Sequence, residues 1–409
     1  MENGQSSDAT STEASGGPLD AFAEARLGPL TLRNRILKAA TFEGRSGGNQ
    51  VPPDLIEFHR RIAAGGVGLS TLAFVAVAAD GRGAPNELVV DDDNIADLGK
   101  LADAVHGEGA AVSAQIGHAG AVGASAGLPG LSPSRFFNSL AMRRTRAMQA
   151  DDFERIPRAF AETAVRLRDN GFDAVEIHLG HGYLLSEFLS PLINRRKDQW
   201  GGSLENRARF PRRVVKAVRD AVGDKMAVLA KLNMDDGVPG GFWLEESVRF
   251  AKMLEEDGAL DAIEFTAGSS LQNPMYLFRG EAPIAEMAYA FPRYLRLGFK
   301  LVAKRFLREY PFEEMYLLPY ARQYREALSM PLVLLGGING RANIEHAMAE
   351  GFEFVAMGRA LLREPGLVNE MADGRTQTSL CIQCNKCMAT IYRGTHCVLA
   401  PEALPLRER

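Results

Sequence analysis

Residues 171–207 read GFDAVEIHLGHGYLLSEFLSPLINRRKDQWGGSLENR and hold one whole unit of the architecture. Gly171 stands where a helix should stop, and Asp173 to Ile177 is a short apolar run of buried-strand length. A loop rich in Gly, Asn and Asp then leads into a new helix. At the end of the strand come His178, His181 and Tyr183, three side chains able to donate or exchange protons. Where strand and helix units repeat, that end of a strand is the catalytic rim. The spacing His178-x-x-His181 also suits a pair of hydrogen-bonded core histidines. A metal site has less support, because no carboxylate stands at the offset of a zincin motif.

The same unit recurs along the chain. Eight apolar runs have strand length: Arg35 to Ala39, Gly68 to Val75, Ala111 to Ile116, Asp173 to Ile177, Ala227 to Leu232, Asp261 to Thr266, Pro331 to Leu335 and Glu353 to Met357. Between them lie helical patterns, such as Leu55 to Ala64, the face made by Leu98, Leu101, Ala102 and Val105, and that made by Phe160, Ala164 and Leu167. Gly66, Gly171, Gly258 and Gly351 each close a helix before a strand, a place for the left-handed cap conformation. Continuous apolar strands alternating with amphipathic helices require a parallel sheet covered by helices, and eight of them favour an α/β fold closed as a (β/α)8 TIM barrel. Pro157 reads as an early-turn proline and Pro211 as a break or kink. The connection from Thr266 to Pro331 is far too long for a loop, so an insertion at about 269–320 must carry structure of its own. Within it, Leu295 to Leu307 has helical spacing with Leu, Phe and Val among Arg and Lys. Such a helix would lie over the barrel mouth or in a subunit interface; an interfacial membrane helix is the weaker reading.

Composition excludes several classes. A chain of 409 residues, 46% hydrophobic and 24% charged, is an ordinary globular protein with ample core. With 47 basic against 51 acidic residues the net charge is -4, which carries no footprint for nucleic acid. No apolar run reaches membrane-spanning length and no signal peptide is evident, so a cytoplasmic protein is expected. Residues 1–18 are Ser-, Gly-, Thr- and Glu-rich and read as a disordered tail before a barrel at 19–378. All four cysteines, Cys381, Cys384, Cys387 and Cys397, fall in a segment at 379–409, and in a reducing compartment such crowding favours metal or cluster ligation over disulfides.

The stretch quoted above resembles the flavin-dependent Old Yellow Enzyme family, which carries H-x-x-H-G-Y-L and then N-x-R-x-D-x-[YW]-G-G-S-x-x-N-R. Here these are His178, His181, Gly182, Tyr183 and Leu184, then Asn194, Arg196, Asp198, Trp200, Gly201, Gly202, Ser203, Asn206 and Arg207. The resemblance runs with gaps from about Leu27 to Cys397. It implies an FMN-binding barrel that takes hydride from NADH or NADPH and passes it to an electron-poor alkene conjugated to a carbonyl, a small-molecule substrate. His178 and His181 would bind the carbonyl oxygen and Tyr183 would supply a proton. Nicotinamide would share the same mouth, so no separate GxGxxG domain is needed, and none follows a strand as a Rossmann unit demands.

Other strand ends supply groups that match the family's flavin site. Ala39, Ala40 and Thr41 follow the first strand, although alanine replaces the usual proline at 40 and Phe42 stands where a cysteine or threonine often tunes the flavin. Ala73 ends the second strand. Gln115 ends the third, where an amide can both donate to and accept from a ring edge. Lys231 ends the fifth; a lysine on the interior of an apolar strand needs an anionic partner, either the reduced flavin or, structurally, Asp235 or Asp236. Gly336 and Gly337 after the seventh strand, and Gly358 and Arg359 after the eighth, occupy the usual phosphate position of such barrels.

In the subgroup containing 2,4-dienoyl-CoA reductase and trimethylamine dehydrogenase, a similar cysteine segment ligates a 4Fe-4S cluster. Here the spacing C-x2-C-x2-C-x9-C is tighter, so cluster, zinc and no metal all stay open, as do a separate reductase and a homo-oligomer. Two rival classes also remain at this point: a metal-dependent barrel hydrolase using the two histidines, and a non-catalytic adaptor with a zinc module.

Overall fold

Eight parallel strands close into a barrel in the computed structural model, which describes residues 19–126, 129–138, 141–289, 293–391 and 393–400. The tail expected over residues 1–18 lies outside these, as do the last residues of the cysteine segment. The strands are β1 (Ile36–Lys38), β2 (Leu69–Ala76), β3 (Ala111–Gly117), β4 (Ala174–Leu179), β5 (Ala227–Asn233), β6 (Ala262–Thr266), β7 (Leu332–Leu334) and β8 (Phe354–Met357). Each pairs with the next, and β8 returns to β1 with Val355 opposite Ile36. All eight coincide with the apolar runs of the sequence. The four glycines at helix ends all have positive φ, as their caps require.

Alternation along the strands separates two environments. Outward residues such as Ile36, Val175, Ile177, Val228, Ile263 and Phe265 pack under the helices. Inward residues Leu37, Ala174, Ala227, Leu229, Ala262, Val333, Phe354 and Ala356 fill the lower barrel together with Ala25, Leu27 and Leu32. The last three come from a hairpin, Ala25–Leu27 with Leu30–Leu32, that plugs the floor. Two residues further along β3 to β6 the same interior face turns polar: Gln115 on β3, Glu176 and His178 on β4, Lys231 and Asn233 on β5, Glu264 and Thr266 on β6, all buried. The interior is thus apolar at the N-terminal end of the strands and charged at the C-terminal end.

Both proline expectations are corrected. The helix Ala150–Arg168 starts well before Pro157, which lies in its interior, and the helix Leu204–Val222 runs on through Pro211 without a break. Phe153 and Phe210 meet edge to face at 5.3 Å between these two helices. Burial of both prolines and of this aromatic contact outweighs the hydrogen bond that each ring removes.

The insertion between β6 and β7 contains helices Pro274–Phe278, Ile284–Ala288 and Arg296–Phe306 before Leu318–Ala327 returns to the barrel wall. Arg296–Phe306 is the helix expected over Leu295 to Leu307. Met275, Ala303 and Leu307 form its own small core, with Phe278, Met287 and Met388 against them. Among the described residues no helix is long and apolar enough to cross a membrane.

Phe354 is completely buried in the barrel floor against the hairpin plug. Phe354→Ala is expected to lower unfolding free energy by roughly 3–5 kcal/mol, read as a lower urea midpoint at unchanged m-value.

Candidate active site

Three rings from one strand end form the centre of the site. His178 is in β4 and its ring meets those of His181 at 4.7 Å and Tyr183 at 4.9 Å, both edge to face. His181 has φ +61, a left-handed turn that brings its ring back over the strand end, and its Nε2 lies 2.7 Å from Thr266 Oγ1 of β6. Phe74 lies edge-on to Tyr183 at 5.2 Å. Around this aromatic group pack Ala40, Phe42, Ala73 and Ala76. The expected residues Ala40, Ala73, His178, His181 and Tyr183 are therefore brought together.

Beneath the rings sits a charged layer. Lys231 Nζ is 2.7 Å from Glu264 and 3.1 Å from Glu176, and Gln115 Nε2 donates to Glu176 at 2.6 Å. The lysine's carboxylate partners are thus on the flanking strands. Asp235 and Asp236, the neighbours named from sequence, do not serve: Asp236 accepts instead from Asn233 Nδ2, Ser190 Oγ and Phe242 N. Burial opposes the charge on Lys231, but the two glutamates outweigh it and hold its pKa above the usual lysine value. Glu264 is pushed up to about 8 by burial and by Glu176 beside it. Sequence reasoning missed both glutamates, whose only signal was an acidic residue inside each of the apolar runs AVEIHL and AIEFT.

Both imidazoles are neutral at physiological pH. Burial, then His181, then Lys231 depress His178 well below the ordinary histidine value, and burial followed by Lys231 brings His181 to about 3. Among the described residues, His178 Nδ1 is buried without a hydrogen-bond partner, and so is Thr41 Oγ1 at the end of β1. Such orphaned groups at the mouth fit a polar ligand that is bound there.

A second cluster missed from sequence lies behind β1. Lys38 donates to Glu43 at 2.7 Å and to the Thr71 carbonyl at 2.7 Å, while His59 lies 3.5 Å from Glu43. The other oxygen of Glu43 accepts from Ala73 N at 2.8 Å and so fixes the floor on which Tyr183 and Phe74 pack.

The expected phosphate group of residues lies at the ends of β7 and β8. Ala39 N donates to the Met357 carbonyl, and a side chain at Gly358 would touch Thr41 at 3.4 Å, so β1 and β8 end side by side. Gly336 and Gly337 have φ of +101 and +75, and a Cβ on them would meet Leu317 at 2.7 Å and Met315 N at 2.7 Å. Their glycine character therefore serves close approach of the insertion at 313–317. Arg359 donates to the Asn385 side chain and stacks 5.7 Å over Phe312. Asn385 in turn donates to the carbonyls of Arg279 and Glu281.

The cysteine segment runs across this end of the barrel. Thr395 N donates to the Glu43 carbonyl, Arg45 to the Thr395 carbonyl, and Gln383 to Asn339. Cys381, Cys384, Cys387 and Cys397 are partly exposed free thiols that lie in one another's field and in that of Arg359. Burial pushes Cys387 up to about 12. Among the described residues, however, no three His, Cys, Asp or Glu side chains gather into a metal-holding set.

Much of the second half of the motif is scaffold. Asn194 Nδ2 donates to the carbonyls of Phe188 and Trp200 at 2.8 Å each, Ser203 caps its helix by accepting from Asn206 N, and Arg207 binds the Gly202 carbonyl and Glu246 at 2.5 Å. These bonds hold the loop that follows the aromatic group.

A barrel with this rim has clear relatives. The family profile described as NADH:flavin oxidoreductase / NADH oxidase matches residues 20–270, and the chain belongs to that family, the Old Yellow Enzymes. It is 51% identical over 389 residues to the 4,4'-dithiodibutanoate disulfide reductase of Rhodococcus erythropolis, covering 95% of this chain and 96% of that one. It is also 33% identical to the NADH oxidase of Thermoanaerobacter brockii over 89% of this chain, but spans only 52% of that protein's length. Among solved structures, the old yellow enzyme homologue from Zymomonas mobilis shares the fold with a TM-score of 0.69 at 22% identity, over 94% of this chain and 98% of that one. A 2-naphthoyl-CoA reductase complex aligns with a TM-score of 0.78 at 25% identity, over 94% of this chain and 57% of that one.

The depressed histidines set a pH dependence. Below about pH 6.5 the unfolded chain binds protons on these imidazoles that the folded chain refuses, so stability is full above that pH and falls as pH drops toward 3. The slope is at most about 1.4 kcal/mol per pH unit for His181, and less because this residue is partly exposed. His181→Gln should flatten the fall in denaturant midpoint between about pH 6 and 4.5; an unchanged slope would mean that His181 is solvated.

Proposed function

We propose that the chain is an FMN-dependent NAD(P)H oxidoreductase that reduces an electron-poor small molecule at the rim formed by His178, His181 and Tyr183. The observation that carries this reading is the edge-to-face group of two neutral imidazoles and a phenol at one strand end, above a buried lysine. Bound FMN would supply the two-electron step, accepting hydride from nicotinamide and handing the reducing equivalents to the acceptor. Gln115 and Lys231 would face its polar ring edge, Ala39, Ala40, Thr41 and Ala73 would let it approach the barrel wall, and Gly336, Gly337, Gly358 and Arg359 would hold its phosphate. Arg359 would have to leave Asn385 to do so.

For an alkene conjugated to a carbonyl, the N–H groups of His178 and His181 would donate to the carbonyl oxygen and stabilise charge as it develops there. Neutral imidazoles suit this role, because each retains one N–H and neither titrates near pH 7. Tyr183 would place its proton on the α-carbon. A second acceptor class is favoured by the Rhodococcus relative: an organic disulfide, which with NAD(P)H and one proton gives two thiols and NAD(P)+. The same donors would then serve the departing thiolate.

Anaerobic mixing separates the two half-reactions. Tyr183→Phe is expected to leave bleaching of the flavin by NADPH nearly unchanged while slowing reoxidation by 2-cyclohexenone on the order of 10²- to 10⁴-fold. Equal loss in both would assign Tyr183 to flavin placement instead. Running parent protein with 2-cyclohexenone and with 4,4'-dithiodibutanoate decides which acceptor class applies.

The four cysteines have the donor chemistry for a 4Fe-4S cluster or for zinc, yet they are not gathered as ligands, so no reaction step is assigned to them. If they do ligate, Cys384→Ser should lower iron or zinc content per chain and the melting temperature. Identical metal content in parent and variant removes both the cluster and a relay from a separate reductase.

A further inference from the structure

A cavity of about 350 Å³ opens beside the rim, and the proposed chemistry does not use it. Its wall includes Gly182, the residue between His181 and Tyr183, so it lies next to the group of rings. Loops after four successive strands build it: Phe137 after β3, Leu192 and Arg195 after β4, Asp236 after β5 and Leu271 after β6. The wall is mixed: Phe137, Leu192 and Leu271 give it an apolar side that suits a short methylene chain, among polar groups such as Ser186, Ser190 and Gln272, and the volume suits a small ligand rather than a water cluster.

Its charges are uneven. Arg195 is exposed, its backbone N donates to Ser134 Oγ at 2.9 Å and its Nε to the Leu192 carbonyl at 3.1 Å. The rest of its guanidinium has no carboxylate partner among the described residues. Neighbouring arginines differ: Arg196 pairs with Asp198, Arg207 with Glu246 and Arg146 with Asp152. The two acids lining the cavity cannot take the place of a partner. Both oxygens of Asp236 accept bonds from Asn233, Ser190 and Phe242. Glu187 is buried; one oxygen accepts from Ala121 N at 2.7 Å, while the other makes no hydrogen bond of good geometry, with the Ser132 hydroxyl beside it. Burial pushes this carboxyl up to about 8, so at neutral pH it offers a proton and not a negative charge.

We infer that this cavity receives the distal end of the acceptor, a carboxylate carried a few methylenes from the reacting atoms, with Arg195 as the group that recognises it. The inference rests on the rim being the acceptor site. It makes Arg195 a specificity residue: the carboxylate pairs with the guanidinium, the methylenes lie along Phe137, Leu192 and Leu271, and the reactive head reaches past Gly182 to the rings.

The test compares 4,4'-dithiodibutanoate with its dimethyl ester on the FMN-loaded enzyme. Arg195→Ala should raise the ratio of acid KM to ester KM on the order of 10-fold or more, the scale of a lost charge-assisted hydrogen bond, and Arg195→Lys should restore part of it. A ratio that does not move overturns the inference. Leu271→Trp, which fills the cavity, should raise KM for both tailed acceptors and spare 2-cyclohexenone; equal effects on all three would likewise overturn it. If neither tailed compound reoxidises the reduced enzyme, calorimetric binding to the oxidised holoprotein decides. Acid binding lost in Arg195→Ala while ester binding persists keeps the anion site and discards the acceptor reading, whereas identical binding of acid and ester discards the anion site.

Discussion

A lysine and two glutamates enclosed in a barrel impose the constraint on which the rest of the structure depends. An ion taken from water costs several kcal/mol, so buried Lys231 is tolerable only with Glu176 and Glu264 held within ion-pair distance of it. They come from three adjacent strands, β4, β5 and β6, and only one register lets them meet: Lys231 opposite both His178 and Glu264. A slip of one residue on any of these strands would turn its charged side chain outward under the helices and its apolar neighbour inward. The layer also divides the interior. Below it, Leu229, Phe354 and the hairpin plug make an apolar floor, and above it lie the imidazoles and the phenol, flanked by the small apolar cluster of Ala73, Phe74 and Ala76.

Much of this was legible from sequence because it is local. Each strand falls in an apolar run, four helix-to-strand turns have a glycine at positive φ, and the three rings of the rim fall within six residues of one strand end. What was not legible is pairing across strands. Proximity along the chain pointed Lys231 to Asp235 or Asp236, but those residues have turned out of the barrel into the following loop, where Asp236 anchors Phe242 N. Pro157 and Pro211 failed for a related reason. Local propensity ends a helix at proline, whereas here the packing of two long helices on each other and on the barrel prevails. Gly336 and Gly337 were read as room for a phosphate, and the insertion at 313–317 lies closely against them; a sequence shows that a glycine is needed and not what approaches it.

Two segments outside the repeating unit cover the reactive end. The insertion after β6 and the cysteine segment after β8 meet at Asn385, which links Arg359 to the carbonyls of Arg279 and Glu281. The cysteine segment continues to Thr395, bonded to Phe42 and Glu43 beyond β1. Glu43 is also the group that holds Ala73 N. The cover is therefore mechanically connected to the floor under Tyr183 through one residue, Glu43, whose carbonyl binds Thr395 and whose carboxylate binds Ala73, and changes in the cysteine segment have a short route to the rim.

The lysine held by the glutamates also bears on the state of the histidines. Burial alone would favour neutral imidazoles, and the cation beneath them adds to that preference for both His178 and His181. Lys231 thus reinforces the neutral state that burial sets for both rings, while their orientation is set by the turn at His181 and by Thr266.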